Sequence, residues 1–168
     1  MYEGASYLKT ATLSTLSLFV SALSLSCTRG ADDFQPATII AMERENLDRW
    51  GRGDPQGYLD RYAPEVTYFD PALEKRTDGR DAMRKYYAPL AGKIKVDHYD
   101  MLDPKVQRHG DVAILTYNLV SYGKKDGTDS VVARWNSTKV YARIEGQWKI
   151  VHDHWSYLKP ELKTPVPN

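Results

Sequence analysis

The chain contains 168 residues, which is enough for one domain with a hydrophobic core and too few for two ordinary domains. Its 23 lysine and arginine residues nearly balance 22 aspartate and glutamate residues. The sequence therefore predicts no basic surface for nucleic acid or for an acidic membrane. A single cysteine excludes an intramolecular disulfide bond.

The uncharged run near the N-terminus, ATLSTLSLFVSALSLS, predicts a signal peptide over residues 1–26, because it is short for a membrane-spanning helix. Cys27 follows directly, and LSLSC resembles a bacterial lipoprotein signal. Lipidation of Cys27 and cleavage by ordinary signal peptidase both fit, and either route exports the domain to the periplasm or out of the cell. Membrane contact is expected only through such a lipid anchor. Residues 27–36 are predicted to be a linker or lipid-anchored tether, and residues 161–168 a tail.

Three amphipathic patterns predict the helices. The first covers residues 37–50, and Glu43 lies on its apolar stripe, either solvated at the margin or turned into a pocket. The sequence GRGDPQ then predicts the start of a short second helix. The third pattern covers residues 79–93 with Tyr87 on its apolar stripe, and Pro89 is expected to kink it or end it early.

A strand pattern dominates the rest of the domain, which is predicted to cover residues 37–160. EVTYFDP predicts a strand with Tyr68 and Asp70 on one face, although an aspartate before proline is also a common turn residue. From residue 95 onward, strands are predicted for residues 95–102, 106–109, 111–124, 130–144 and 147–157. Helices followed by an antiparallel meander predict the α+β class.

The last predicted strand, QWKIVHDHWS, contains the first candidate site residues. With a two-residue period, Trp148, Ile150, His152 and His154 share one face that changes from apolar to polar. This gradient predicts a strand that passes from the core into a wet cavity. The two histidines could bind a metal, but no third ligand lies at a diagnostic spacing, so hydrogen-bonded histidines are favoured. Neither a metal site nor a cofactor is predicted.

Several motifs together resemble the nuclear transport factor 2-like superfamily over residues 37–157: RGD, VTYFDP, MLDP followed by HGD, and the closing GQW, VH, H and S. Within it the chain is similar to SnoaL-like domains and to the association domain of calcium/calmodulin-dependent kinase II. The resemblance implies a cone, in which a curved antiparallel sheet wraps the first helix around a cavity open at one end. It also implies dimers or larger rings built through the outer sheet face. Nothing resembles a kinase catalytic domain.

The same superfamily includes proteins similar to ketosteroid isomerase, which use a strand aspartate as base and a tyrosine and a protonated aspartate as oxyanion donors. Asp70 matches the base. The tyrosine position falls on Asn46 and the second acid near Thr138, so steroid isomerisation is not expected. Another isomerase, lyase or hydrolase reaction with Asp70, His152 or His154 as general base stays open.

The hairpin EGQ is predicted to bring polar residues of the last two strands together on the inner face: Arg134, Asn136, Thr138, His152, His154 and Ser156. An unpaired buried guanidinium is too costly to persist. Arg134 is therefore expected to pair with a carboxylate in the cavity or with an anionic ligand, unless it points to water at the rim. This predicts a small, carboxylate-bearing organic ligand in a site that also includes Glu43, Tyr68 and Tyr87.

Self-association is predicted from the aromatic residues of the same two strands. The face opposite the histidines carries Val151, Trp155 and Tyr157, with Trp135 and Tyr141 on the neighbouring strand. No helix remains in the sequence pattern to cover this face, so a partner subunit is expected to cover it in a homodimer or larger assembly. The favoured hypothesis is an exported, self-associating domain that binds a small molecule. An enzyme and a purely oligomeric hub are the alternatives.

Overall fold

The computed structural model describes residues 34–158. The predicted signal peptide, Cys27 and the predicted tail lie outside the described residues. Within the described part of the chain, no helix has the length and apolar character needed to span a bilayer.

The described residues form a mixed α+β unit, which confirms the predicted class. Its elements are α1 (Pro36–Gly51), α2 (Gln56–Arg61), β1 (Tyr62–Phe69), β2 (Thr77–Asp78), α3 (Arg80–Tyr87), a 3-10 turn (Ala88–Leu90), β3 (His98–His109), β4 (Val112–Lys125), β5 (Thr128–Ile144) and β6 (Gln147–Tyr157). As predicted, the third helix ends early. It stops at the second residue before Pro89, which disfavours helix in the residue that precedes it.

The six strands form one open, curved sheet in the order β2-β1-β6-β5-β4-β3. Strands β3 to β6 form the predicted antiparallel meander. Strand β1, however, runs parallel to β6, so the expectation of a wholly antiparallel sheet is wrong at this pair. The parallel pairing is possible because α3 and four strands separate β1 from β6 along the chain, and a parallel neighbour requires such a long connection.

Strand β3 joins two segments that the sequence separates, residues 95–102 and 106–109. The pairing with β4 shifts between Leu102 and Lys105, which absorbs Asp103 and Pro104 without ending the strand. Because β3 is an edge strand, the missing amide of Pro104 leaves no neighbour unpaired.

The inner face of the sheet, defined here as the face that packs against α1, supplies most of the core. Helix α1 buries Ile39, Glu43, Asn46 and Leu47 against it. On the strands, alternate residues of β4 and β5 are buried, and Ile150 of β6 is fully buried. This arrangement follows from the period of two in a strand.

A β-bulge in β6 decides which residues reach the inner face. The two-residue turn Glu145–Gly146, with positive φ at both positions, pairs Tyr141 with Ile150. The next pair is Val140 with His152, so Val151 is an extra residue. A one-residue insertion moves every later side chain to the opposite face.

The predicted common face of Ile150, His152 and His154 is therefore wrong. Ile150 points inward, but beyond the bulge Asp153 and Trp155 point inward instead, and both histidines point outward.

Candidate functional site

A cavity of about 240 Å³ lies between α1 and the inner face of the sheet. Its walls are mainly apolar and aromatic, and three tryptophans contribute: Trp50 from α1, Trp135 from β5 and Trp155 from β6. Four tyrosines complete the aromatic wall: Tyr58, Tyr68, Tyr87 and Tyr99. A pocket of this kind, with many rings and few polar groups, is typical of small-molecule sites.

Asp70 is the one charged side chain in this lining, and Ser121 adds a hydroxyl. Asp70 follows the end of β1, where it is half-buried. Its Oδ2 accepts a hydrogen bond from the Tyr68 hydroxyl at 2.7 Å, and its Oδ1 accepts one from the Ala72 amide at 2.8 Å. A carboxylate oxygen can accept two bonds, so Asp70 keeps capacity for a ligand.

The tyrosine hydroxyls of the cavity wall direct their protons away from a ligand. Tyr58 donates to Glu43 at 2.9 Å and Tyr99 donates to Asp48 at 2.8 Å. Tyr62 donates its proton to Asp153 at 2.7 Å, so Tyr87 must be the donor in the 3.1 Å contact between the two phenols. Since a phenol has one proton, none of these hydroxyls has a proton left to donate to a ligand.

Below the cavity lies a deep cluster made of Glu43, Lys139 and Asp153, all fully buried. Lys139 and Asp153 face each other on β5 and β6 and form an ion pair. The Lys139 Nζ also lies 3.7 Å from Glu43 Oε1. The ammonium group sits 4.0 Å from the centre of the Trp155 ring, which also lines the cavity.

Phenol donors satisfy the carboxylates of the deep cluster. Glu43 Oε1 accepts bonds from Tyr58 and, at 2.5 Å, from Tyr117, while Oε2 accepts one from Tyr141 at 3.1 Å. These bonds stabilise a charge that burial alone would make prohibitively costly.

The deep cluster contains two carboxyl groups and one ammonium group, so its charges do not balance. Burial raises the pKa of Glu43, against the opposing effect of Lys139. Burial likewise raises the pKa of Asp153, although Lys139 and the Tyr62 hydroxyl lower it. The cluster therefore holds a proton more readily than exposed carboxyl groups would. Burial also raises the pKa of the surrounding phenols, including Tyr58 and Tyr117, which stay neutral.

Of the residues that the sequence places in the site, the structure brings Asp70, Tyr68 and Tyr87 together in the cavity wall. Glu43 is fully buried in the deep cluster and does not line the cavity. Glu43 is therefore neither solvated at the margin of the helix nor turned into the pocket, the two alternatives considered, and its expected place in the ligand site is wrong.

The predicted inner polar set lies on the outer face of the sheet, opposite α1. It contains Arg134, Asn136, Thr138, His152, His154 and Ser156. Asn136 links Asn118 and Ser156 by hydrogen bonds across the strands, and His152 Nδ1 lies 2.7 Å from the Thr67 hydroxyl. The bulge at Val151 turns the β6 members outward, and the β5 members follow because they are their cross-strand partners.

Arg134 is exposed, and it alternates with Ala133 and Trp135, which line the cavity. Its guanidinium therefore has no route to a ligand in the cavity, and the expectation of a carboxylate-bearing ligand loses its basis.

The aromatic residues of β5 and β6 that were predicted to form a subunit interface also lie on the inner face. Trp135 and Trp155 line the cavity, and Tyr141 is fully buried with its hydroxyl on Glu43. The prediction that these three residues form an exposed interface is therefore wrong, whereas Tyr157, which packs against Trp135, is exposed as expected.

Sequence reasoning missed Lys139, Asp153, Tyr62 and Tyr117. A lysine and an aspartate on neighbouring strands of one hairpin are the available signal, because cross-strand partners of opposite charge often pair. Without the bulge, these two residues would point to opposite faces, which hid the pair.

The described residues contain no group of three or more histidine, cysteine, aspartate or glutamate side chains placed to hold a metal ion.

A family model of the calcium/calmodulin dependent protein kinase II association domain matches residues 35–158. Among curated proteins, the delta subunit of calcium/calmodulin-dependent protein kinase type II from Oryctolagus cuniculus is 30% identical over 122 residues. This match covers 70% of the chain and 23% of the kinase subunit, so the chain spans less than a quarter of that relative's length.

Three solved structures illustrate the structural similarity. A candidate ketosteroid isomerase from Parabacteroides distasonis is 38% identical with a TM-score of 0.67, and the match covers 79% of this chain and 95% of that one. The association domain of the C. elegans kinase is 25% identical with a TM-score of 0.62, over 71% of this chain and 93% of that one. A nuclear transport factor 2-like protein from Pseudomonas putida, 19% identical with a TM-score of 0.63 over 78% of this chain and 92% of that one, confirms the fold expected from the motifs.

Proposed function

Because this chain belongs to the calcium/calmodulin-dependent protein kinase II association-domain family, we propose that it is a self-associating module that binds a small organic ligand in its cavity. The observation that supports ligand binding most strongly is the preformed cavity, whose aromatic walls meet one half-buried carboxylate with spare hydrogen-bonding capacity. The matching family model is that of the association domain, and the kinase subunit is covered over only 23% of its length, so the proposal includes no kinase activity.

The outer face of β4 and β5 is the proposed surface for self-association. Its central side chains carry no formal charge: Ile114, Thr116, Asn118, Asn136, Thr138 and Val140. All six are exposed or half-buried in the single chain. An uncharged, incompletely buried sheet face is well suited to pair with the same face of a second copy.

Sedimentation velocity of the full chain at micromolar concentration tests this part of the proposal. The wild type is expected to sediment as a dimer or larger species. Val140→Glu is expected to shift it to the monomer, because it places a charge at the centre of the interface. Ala41→Glu adds the same charge on the exposed side of α1 and is the matched control. A monomeric wild type would contradict the proposal.

A second candidate function is catalysis with Asp70 as general base. Two observations favour it: Asp70 lines the cavity, and a structure 38% identical to this chain is a candidate ketosteroid isomerase. His152 and His154 lie on the outer face, so they are not placed to act on a molecule in the cavity.

Deuterium exchange of the methyl protons of acetophenone, followed by NMR, tests for such a base. An enzyme would accelerate the exchange, and Asp70→Asn would abolish the acceleration. Exchange at the same rate with both proteins would leave ligand binding without turnover as the function.

Export through the predicted signal peptide is a further part of the proposal and is supported by the sequence pattern of residues 11–27. The full chain expressed in a bacterium is expected to lose residues 1–26, as measured by intact mass. If Cys27 is lipidated, the protein will fractionate with membranes and Cys27→Ala will release it. Retention of the full mass in the cytoplasm would refute export.

A further inference from the structure

The lining of the cavity has an uneven distribution of charge. Fifteen described residues line it, and among them Asp70 carries a charge while none carries a positive one. Arg134, the cation expected there from the sequence, is exposed on the outer face. An anionic ligand would therefore meet a carboxylate and no counter-charge inside a partly desolvated space, which is unfavourable.

The hydrogen-bonding groups of the wall have the same bias. The four tyrosine hydroxyls donate their protons to Glu43, Asp70, Asp48 and the Tyr62 hydroxyl, so none of them can donate to a ligand. The side-chain donors that remain in the lining, the indole N–H groups and the Ser121 hydroxyl, are neutral. A ligand that donates hydrogen bonds fits this wall better than one that accepts them.

The nearest buried cation does not reverse this bias. Lys139 is fully buried and is held between Asp153 and Glu43, and the Trp155 ring lies against its ammonium group. With neither carboxyl group protonated, the deep cluster has a net charge of −1. With one of them protonated, it is neutral. A negative cluster favours a cationic ligand in the cavity. A neutral cluster adds little, and the charge of Asp70 then decides which ligand is favoured.

We infer that the cavity selects a small organic ammonium ion that carries a ring, with the ammonium group at Asp70 and the ring among Trp50, Trp135 and Trp155. This inference rests on the proposed ligand-binding function and adds the chemical class of the ligand. Aromatic faces within about 6 Å of a cation attract it, and a carboxylate supplies the charge-assisted hydrogen bond. The volume of about 240 Å³ lies below the range of drug-sized pockets, about 300–1,000 Å³, so the ligand is small.

Three probes of similar shape separate charge from size: phenethylamine is a cation at neutral pH, 2-phenylethanol is neutral and 3-phenylpropanoate is an anion. Each is titrated into the full chain by calorimetry. Phenethylamine is expected to bind at least about tenfold more tightly than the alcohol, the effect of one hydrogen bond to a charged group. The carboxylate is expected to bind more weakly than the alcohol.

Asp70→Asn tests the residue and keeps the oxygen that accepts the Ala72 amide, so the turn is preserved. It is expected to weaken phenethylamine binding about tenfold while the alcohol changes by less than about twofold. Glu74→Gln removes one charge from a nearby exposed position and is the matched control, with unchanged affinities expected.

The outcomes separate this inference from the proposed function. If the alcohol or the carboxylate binds as tightly as the amine, or if Asp70→Asn leaves amine affinity unchanged, the ammonium class is wrong while ligand binding stands. If none of the three binds at millimolar concentration, both the ammonium class and the proposed ligand binding are overturned. The wild-type comparison decides the ligand class even if Asp70→Asn fails to fold.

Discussion

Glu43 and Asp70 are both carboxyl groups on the inner side of the sheet, but their surroundings differ. Glu43 is fully buried, and three phenols and a lysine surround its oxygens. Asp70 is half-buried, has one phenol and one amide as partners, and lines the cavity. A polar group whose partners are all internal contributes to a unique fold, whereas one with spare capacity can bind a ligand.

Removal of the buried cation is expected to have the largest effect on stability. Lys139→Met leaves Asp153 and Glu43 in the core without a counter-charge, which should lower the free energy of unfolding by about 3–5 kcal/mol. Urea denaturation of the full chain measures this loss. Lys85→Met removes an exposed lysine from α3 and should change stability by less than about 0.5 kcal/mol. Similar losses in both variants would show that the deep cluster does not hold the fold together.

Removing one phenol oxygen from the deep cluster and one from the surroundings of Asp70 compares the two regions directly. Tyr62→Phe removes the donor to buried Asp153 and the acceptor for the Tyr87 hydroxyl, and should cost about 1.5–3 kcal/mol, since no water is expected to replace it. Tyr68→Phe removes the donor to Asp70, where solvent has access, and should cost less than about 1 kcal/mol. Thermal and urea unfolding of both variants give the two values. A larger loss of stability for Tyr68→Phe than for Tyr62→Phe would contradict the view that the deep cluster supports the fold more than Asp70 does.

The raised pKa of Glu43 predicts how stability depends on pH. Because the folded state holds the Glu43 proton above its ordinary pKa of 4.5, this contribution is complete below pH 4.5 and is lost as pH rises through the raised pKa. One proton gives a slope of at most about 1.4 kcal/mol per pH unit.

The free energy of unfolding is therefore measured from pH 4.5 upward for the wild type and for Glu43→Gln. The variant should lack this part of the decline, so the difference between the two curves isolates Glu43 from the other titrating groups. Parallel curves would mean that Glu43 titrates normally.

The helices, the meander and the inner placement of Asp70 could be predicted because they depend on periodicity and on a strand end before a proline. The inward position of Asp153 and the outward positions of the two histidines could not be predicted. The bulge at Val151 moves the later side chains of β6 to the opposite face, and no residue type in the strand marks that bulge. Lys139 was missed for a different reason. A lysine is almost never buried unless it is paired, and its partner is known only once the register is known.

The most direct test of the difference between the two carboxylate regions is a crystal structure of the full chain grown with phenethylamine. The ammonium nitrogen is expected within about 3 Å of an Asp70 oxygen, with the ring against the tryptophans and with Lys139 still between Asp153 and Glu43. A ligand nitrogen on Glu43 or Asp153, or a ligand bound only outside the cavity, would contradict this account. The account assigns the deep cluster to the stability of the fold and Asp70 to ligand binding.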